Sequence, residues 1–271
     1  MLKAAFQGVR GAYSETAVEQ LIREKIEFVP IHSFDDVFNA VENGDVDRGV
    51  IPIENSLTGS IHRNVDLLLK HNLWIMGETK VRIVHNLIVN KGVKFKDIKN
   101  IYSHPQGLQQ CEKFLSRYTN IEKIPAYDTA GSVKMIKEKK MMDSGAIASK
   151  QAAFFYDMVI LEDGIEDFEE NYTRFFMLSK SKDVRDDANK TSIVFSTKNE
   201  AGVLFKSLSV FALRDINLLK IESRPVHGTP WEYYFYLDFE ENINNEKGIN
   251  AINHLKEIAT YLKILGCYPK G

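Results

Sequence analysis

The stretch Gly49-Val50-Ile51-Pro52-Ile53 is an apolar run that breaks abruptly into Glu54-Asn55-Ser56, then Thr58, Gly59 and Ser60. Its length and composition predict a buried strand, and Pro52 predicts a local irregularity, because proline cannot donate to a sheet ladder. Upstream, Leu2–Gln7 and Ile26–Ile31 have the same character. Between them a helix is predicted from about Ser14, with Ala17, Val18, Leu21 and Ile22 on one face. A second helix is predicted after Ser33, whose partner three residues on is Asp36, with Val37, Phe38 and Val41 as its apolar stripe. This βαβαβ order predicts a largely parallel sheet with helices on its faces.

Working outward, Leu73–Asn90 is long, β-rich and broken by polar residues, as expected of a connection between lobes. Strand and helix signals then alternate again. Ile101–Ser103 is a strand and Pro105 opens a helix to about Arg117; Ile121–Ala126 is a strand and Asp128 caps a helix; Gly145–Ser149 and Tyr172–Leu178 are strands. The expectation is one domain over residues 1–180 in two lobes, about 1–75 with 160–180, and 76–159. Ligands of open α/β sheets bind beyond the carboxyl ends of strands, so the cleft between lobes is the expected site. The polar run Ser179–Lys190 reads as a linker. Residues 190–271 follow a βαββαβ order, which predicts a ferredoxin-like plait.

Bulk properties agree with a small-molecule protein. The chain has 271 residues, 27% of them charged, and a net charge of -2, which argues against a nucleic-acid or anionic-membrane partner. No apolar stretch approaches the ~20 residues that span a bilayer, and Met1–Arg10 reads as a strand rather than an export signal, so a cytoplasmic location is expected. Cys111 and Cys267 are far apart, and the seven histidines form no ligand pair, so neither a disulfide framework nor a metal site is expected.

Four polar clusters fall at strand ends. Gly8–Glu15 is a turn whose backbone N–H groups suit a carboxylate, or simply a turn capped by Ser14. Glu54–Ser60 is a reactive loop or only a polar one. Ser103-His104-Pro105-Gln106 leads to Gln110, four residues on and on the same helix face as Gln106. In this cluster His104 is read as a structural cap ahead of an acid–base group. Asn171-Tyr172-Thr173-Arg174-Phe175 is a strand in which Thr173 and Phe175 share a face and Arg174 points the other way.

Taken together, the clusters resemble the prephenate dehydratase family. The resemblance rests on Phe6-Gln7-Gly8 with Gly11–Glu15, Pro52–Ser56 with Gly59, His104–Gln106 with Gln110 and Cys111, Asp128-Thr129-Ala130, and Thr173–Phe175. The C-terminal unit resembles an ACT domain, through Asn199–Leu204 and Glu222-Ser223-Arg224-Pro225. Val9, Tyr13 and Gly107 depart from the usual residues of those motifs, and Gly202-Val203-Leu204 stands for Gly-Ala-Leu.

The resemblance implies an α/β fold: a two-lobed region like periplasmic binding proteins plus the ferredoxin-like ACT plait. It implies a monofunctional hydro-lyase, with no chorismate mutase module ahead of it. That enzyme turns prephenate into phenylpyruvate without metal or cofactor and is inhibited by L-phenylalanine as a homodimer or homotetramer. The implied catalytic residues are Thr173 as proton donor, with Asn55, Ser103, Gln110 and Glu54. Ser14, Ser56, Gly59, Gln106, Thr129, Arg174 and Phe175 would contact substrate, Arg174 either holding the pyruvyl carboxylate or bracing Thr173. Asn199, Ala201, Gly202, Val203, Leu204, Asn217, Glu222, Ser223, Arg224 and Pro225 would contact the effector. Arogenate dehydratase is the neighbouring enzyme reading, and a non-catalytic amino-acid sensor is the competing class.

Overall fold

A computed structural model describes residues 1–226 and 228–271. The chain opens with β1 (Leu2–Gln7), α1 (Tyr13–Leu21), β2 (Ile26–Ile31), α2 (Phe34–Asn43) and β3 (Arg48–Asn55). Strand β1 lies between β2 and β3 and is parallel to both. Ser33 caps α2 by accepting from the Asp36 N–H at 3.2 Å. In α1 the capping position falls on Ala12, which offers no side-chain bond, and Ser14 lies inside the first turn instead. The two-residue strand β4 (Gly59–Ser60) folds back on the end of β3, and α3 (His62–Lys70) follows.

The segment expected to be a connection is two strands. β5 (Trp74–Arg82) belongs to the first sheet, while β6 (Asn86–Val89) belongs to the second. The chain first changes lobes between them. Then come β7 (Asn100–Ser103), α4 (Pro105–Gln109), α5 (Glu112–Leu115), β8 (Glu122–Pro125), α6 (Thr129–Glu138), β9 (Ser144–Ala148), α7 (Lys150–Phe155) and β10 (Val159–Glu162). The second sheet runs β10-β6-β9-β7-β8. β11 (Tyr172–Ser179) returns to the first lobe between β5 and β3, antiparallel to both. The expected lobe limits are therefore corrected at both crossings: residues 76–82 are in the first lobe, and β10 is in the second.

The single helix expected from Pro105 to Arg117 is also corrected. It breaks into α4 and α5 because the chain after β10 intrudes. The Asp167 N–H donates to Gln110 O at 2.7 Å, and the Asp167 carboxylate accepts from the Lys113 N–H at 3.0 Å. Those groups are then lost to the helix ladder.

The C-terminal plait comprises β12 (Lys190–Ser196), α8 (Val203–Ala212), β13 (Leu218–Pro225), β14 (Tyr233–Phe239), α9 (Glu246–Ile258) and β15 (Tyr261–Tyr268), with strand order β13-β14-β12-β15 and every neighbour antiparallel. Strand alternation sorts its residues. Ile193, Phe195, Leu237 and Phe239 pack under α8 and α9. Val194, Tyr236, Leu265 and Tyr268 face the other way and share one core with Ile53, Val65, Leu68 and Phe176 of the first lobe. The approach is close enough that a Cβ on Gly266 would meet Ile75 O at 2.4 Å. The plait is thus docked on the face of the first lobe through a continuous apolar layer.

Candidate active site

A cleft of about 470 Å³ opens between the lobes. Its lining includes Ser14, Asn55, Gln106, Gln110, Thr129, Thr173 and Phe175. Four of the sequence clusters therefore converge on one cavity, as strand ends from two sheets facing each other.

Thr173 is buried, and its Oγ1 lies 3.0 Å from Asn55 Nδ2. The Asn55 amide has one orientation only. Its Oδ1 accepts from the backbone N–H groups of Leu57 (3.0 Å) and Thr58 (3.2 Å), while Nδ2 donates to Asn171 Oδ1 (2.7 Å) and Tyr172 O (3.1 Å). The two Nδ2 hydrogens are shared among these two acceptors and Thr173 Oγ1, so Asn55 can only donate toward Thr173, and no described group accepts the Thr173 hydroxyl proton, which is left to point into the cleft. The pair sits at an irregularity. Thr173 pairs with Asn55 and Arg174 with Glu54, but Phe175 pairs with Pro52, leaving Ile53 as the extra residue of a bulge.

His85 and Gln110 form a second polar group in the cleft lining. His85 Nε2 lies 2.9 Å from Gln110 Oε1, and Nδ1 lies 3.3 Å from Tyr13 Oη, which donates to Val84 O at 2.6 Å. Burial lowers the His85 pKa against the opposing effects of Gln110 and Glu166. The sequence reading missed His85, since a single histidine in a β-rich crossing carries no spacing signal. His104 caps α4, its Nδ1 accepting from the Gln106 N–H at 3.2 Å, and burial lowers its pKa. Gln106 Nε2 reaches Thr58 Oγ1 of the other lobe at 2.7 Å, bridging the cleft. Asp128 lines the cleft and caps α6; burial raises its pKa, partly offset by the Gly131 N–H.

Five expected cleft residues lie elsewhere. Ser103 is fully buried and donates to Ile147 O at 2.7 Å beneath Gly107. Ser56 fastens the loop to Glu170 O and the Tyr172 N–H. Gly59 is exposed with φ +81°. Glu54 and Arg174 project from the back of the sheet, because each neighbours a cleft residue on its strand and strand side chains alternate. Arg174 Nη1 lies 3.1 Å from Glu78 Oε2 and 2.7 Å from Asp238 Oδ2, and its Nε lies 2.9 Å from Glu54 Oε1, off hydrogen-bond alignment. Burial opposes the Arg174 charge, but Asp238, Tyr268, Glu54 and Glu78 outweigh it and raise its pKa. Arg174 is therefore not part of the cleft lining.

In the plait, Asn199, Gly202, Val203 and Leu204 line a cavity of about 240 Å³ with Phe205, Trp231, Tyr233 and Phe235. Ala201 is exposed beside it. Asn217 is committed to Glu240, at 2.7 Å. Glu222 and Arg224 do not line this cavity within the chain. Glu222 accepts from Ser60 Oγ at 2.5 Å, and Arg224 pairs with Asp66 at 2.9 Å, so both hold the first lobe. Ser223 and Pro225 are exposed on β13, an edge strand of the sheet.

Two α/β lobes around a cleft that holds a buried hydroxyl, with a ferredoxin-like plait docked on the first lobe, define a small-molecule enzyme with an appended βαββαβ domain. A family model described as prephenate dehydratase matches residues 4–183, and an ACT domain model matches residues 191–257. The chain belongs to the prephenate dehydratase family, a family of hydro-lyases, and carries an ACT domain. It is 48% identical to "Arogenate dehydratase 2" of Petunia hybrida over 99% of this chain and 72% of that one. It is 47% identical to "Arogenate dehydratase/prephenate dehydratase 2, chloroplastic" of Arabidopsis thaliana, over 99% and 73%. Among solved structures, the prephenate dehydratase of Arthrobacter aurescens in complex with L-Phe superposes with TM-score 0.90 at 27% identity, covering 99% of this chain and 90% of that one. Among the described residues no helix is long and apolar enough to cross a membrane.

Proposed function

We propose that this chain converts prephenate to phenylpyruvate, with Thr173 as proton donor, and that L-phenylalanine inhibits it through the ACT domain. The observation that carries this reading is the Asn55–Thr173 pair. Asn55 donates to the threonine oxygen at 3.0 Å, which leaves the hydroxyl proton for a group in the cleft and makes it more acidic.

In the proposed reaction the bond to the ring carboxylate breaks and its electron pair enters the ring. The C–O bond to the ring hydroxyl breaks in turn, and the departing oxygen takes the Thr173 proton and leaves as water. Thr173 recovers a proton from solvent, so one proton is consumed for each CO₂ and water released. An alcohol can serve because the departing hydroxide is the base of an acid with pKa about 15.7. The ring carboxylate must not be tightly held, since pairing it would stabilise the ground state. Arg63, the one Arg or Lys among the described lining residues, is bonded to Asp35. The side-chain carboxylate suits the start of α1, where the Tyr13 and Ser14 N–H groups take no partner among the described residues.

Arogenate is the second reading: the Petunia hybrida relative is named an arogenate dehydratase, and the Arabidopsis thaliana relative carries both the arogenate and the prephenate name. The two substrates differ at one side-chain carbon, a ketone in prephenate and an ammonium in arogenate. Asp128, the one carboxyl group among the described lining residues, is what an ammonium would meet. Incubating the protein with each substrate, and following phenylpyruvate by ultraviolet absorbance and phenylalanine by chromatography, tests both. Turnover of neither overturns the proposal and leaves the sensor class. Asp128→Asn keeps the helix cap, so a selective loss of arogenate turnover would support the second reading.

The cavity at Asn199–Leu204 is the proposed effector site, completed by Ser223 and Pro225 of a second copy in a dimer or dimer of dimers. Exposed Phe205, Leu213 and Ile221 supply apolar surface for that pairing. A cytoplasmic site of action belongs to the same proposal.

A further inference from the structure

The back of the sheet that presents Thr173 is held by charges from the C-terminal plait. Lys220 of β13 bonds Glu54 and also lies 2.8 Å from Ser60 Oγ, and Glu222 of the same strand takes the Ser60 hydroxyl. Ser60 and Glu54 are paired across β4 and β3, as are Gly59 and Asn55. Asp238 of β14 bonds Arg174 at 2.7 Å and accepts from Ser192 Oγ at 2.5 Å. Glu54 and Arg174 are themselves directly paired across β3 and β11, one residue from Asn55 and Thr173. Both Arg174 and Asp238 are buried, where solvent screening is weak.

We propose that Lys220 and Asp238 are positioning residues for the Asn55–Thr173 pair, acting through Glu54 and Arg174. The backbone makes the link. Consecutive strand residues face opposite sides, so a displacement of the Glu54–Arg174 pair on the back carries Asn55 and Thr173 with it on the front. The same strands run to the proposed effector cavity. Phe235, which lines that cavity, is three residues from Asp238 on β14, about 10 Å along the strand. Effector occupancy that shifts β14 would therefore misalign the proton donor while leaving the cleft open to substrate. This rests on reading the cleft as a dehydratase site and the plait as its sensor.

The test uses the full chain carrying Lys220→Met, with Lys220→Arg as the conservative rescue and Asp238→Asn as an independent second variant. Lys220→Met is expected to lower kcat about fivefold or more with KM within about twofold, because donor alignment is lost and binding is not. Lys220→Arg should restore kcat. In Lys220→Met, phenylalanine should bind with Kd within about twofold of wild type, yet its maximal inhibition should fall by about half or more. Amide exchange of residues 54–60 and 172–174 should quicken in both Lys220→Met and Asp238→Asn at a temperature where each is fully folded. Wild-type kcat and wild-type exchange in both variants would overturn the inference, as would loss of phenylalanine binding in step with loss of inhibition. If the wild-type chain turns over neither substrate, the dehydratase reading fails, and the exchange experiment still decides whether the plait positions the pair.

Discussion

Thr173 and Arg174 are neighbours on β11, yet one faces the cleft and the other faces the C-terminal domain. The hydroxyl of Thr173 meets Asn55, and the guanidinium of Arg174 meets Glu78 and Asp238. A three-residue motif thus serves two purposes on opposite sides of one sheet, with Phe175 returning to the cleft side.

The first prediction concerns the hydroxyl. Thr173→Ala removes the proton donor but keeps the strand pairing, so kcat should fall by about 10²–10⁴-fold with substrate binding retained. Thr173→Ser keeps the hydroxyl without its methyl anchor and should recover part of the rate. Single-turnover kinetics alongside calorimetric binding of substrate separates the two effects; near-normal kcat in Thr173→Ala would remove Thr173 from the mechanism.

The second concerns acid stability. Burial pushes the Asp238 pKa up, but Arg174 and Lys190, with the Ser192 hydroxyl, outweigh it and lower the value overall. A carboxyl group whose folded pKa lies below its unfolded one stabilises the fold fully above the unfolded value, about 3.9. That contribution disappears as pH falls through the lower folded value. Wild type should therefore exceed Asp238→Asn in urea stability at pH 6, and the gap should close progressively below pH about 4. A gap that stays constant down to pH about 2 would show that the charge contributes nothing.

The sequence made the front of the sheet legible and the back largely illegible, for a physical reason. Period-two alternation places Thr173 and Phe175 together and turns Arg174 away, and Pro52 announces the bulge that separates Asn55 from a regular register. The same alternation excludes Glu54 from the cleft once Asn55 is in it, although its place beside Asn55 made it a plausible site residue. What no local pattern reveals is the partner. Lys220 is 166 residues from Glu54, and Asp238 is 64 from Arg174. Ser103 and His85 illustrate this from opposite directions. Ser103 stands at a strand end yet bonds a neighbouring strand's carbonyl, and His85 has no accompanying residue to mark it. The bonds of Glu222 and Arg224 to the first lobe are hidden in the same way, since their partners Ser60 and Asp66 lie 162 and 158 residues away.

The last prediction concerns how the lobes meet. Gly11 has φ +86°, and a Cβ there would stand 2.5 Å from Ala152 Cα and 2.9 Å from Ala152 N, in α7 of the opposite lobe. The contact is fastened by Ser149 Oγ on Gly11 O at 2.6 Å and Thr16 Oγ1 on Gln151 Oε1 at 2.6 Å. Backbone cannot yield as a side-chain tip does, so Gly11→Ala must separate the lobes locally or displace the Gly8–Ala12 turn. Either change moves the start of α1 away from the residues of the second lobe. A misplacement of about 1 Å can cost about 10²-fold in rate, and kcat/KM should fall on that scale. Gly44→Ala, at the C-terminus of α2, is the control. Its φ is +85° with nothing within 4 Å of the added Cβ, so it bears the left-handed backbone penalty, about 1–2 kcal/mol, without a collision. Equal activity loss in the two variants would show that backbone strain, and not lobe contact, is what Gly11 relieves; a loss confined to Gly11→Ala would show that the contact between the lobes depends on the missing side chain.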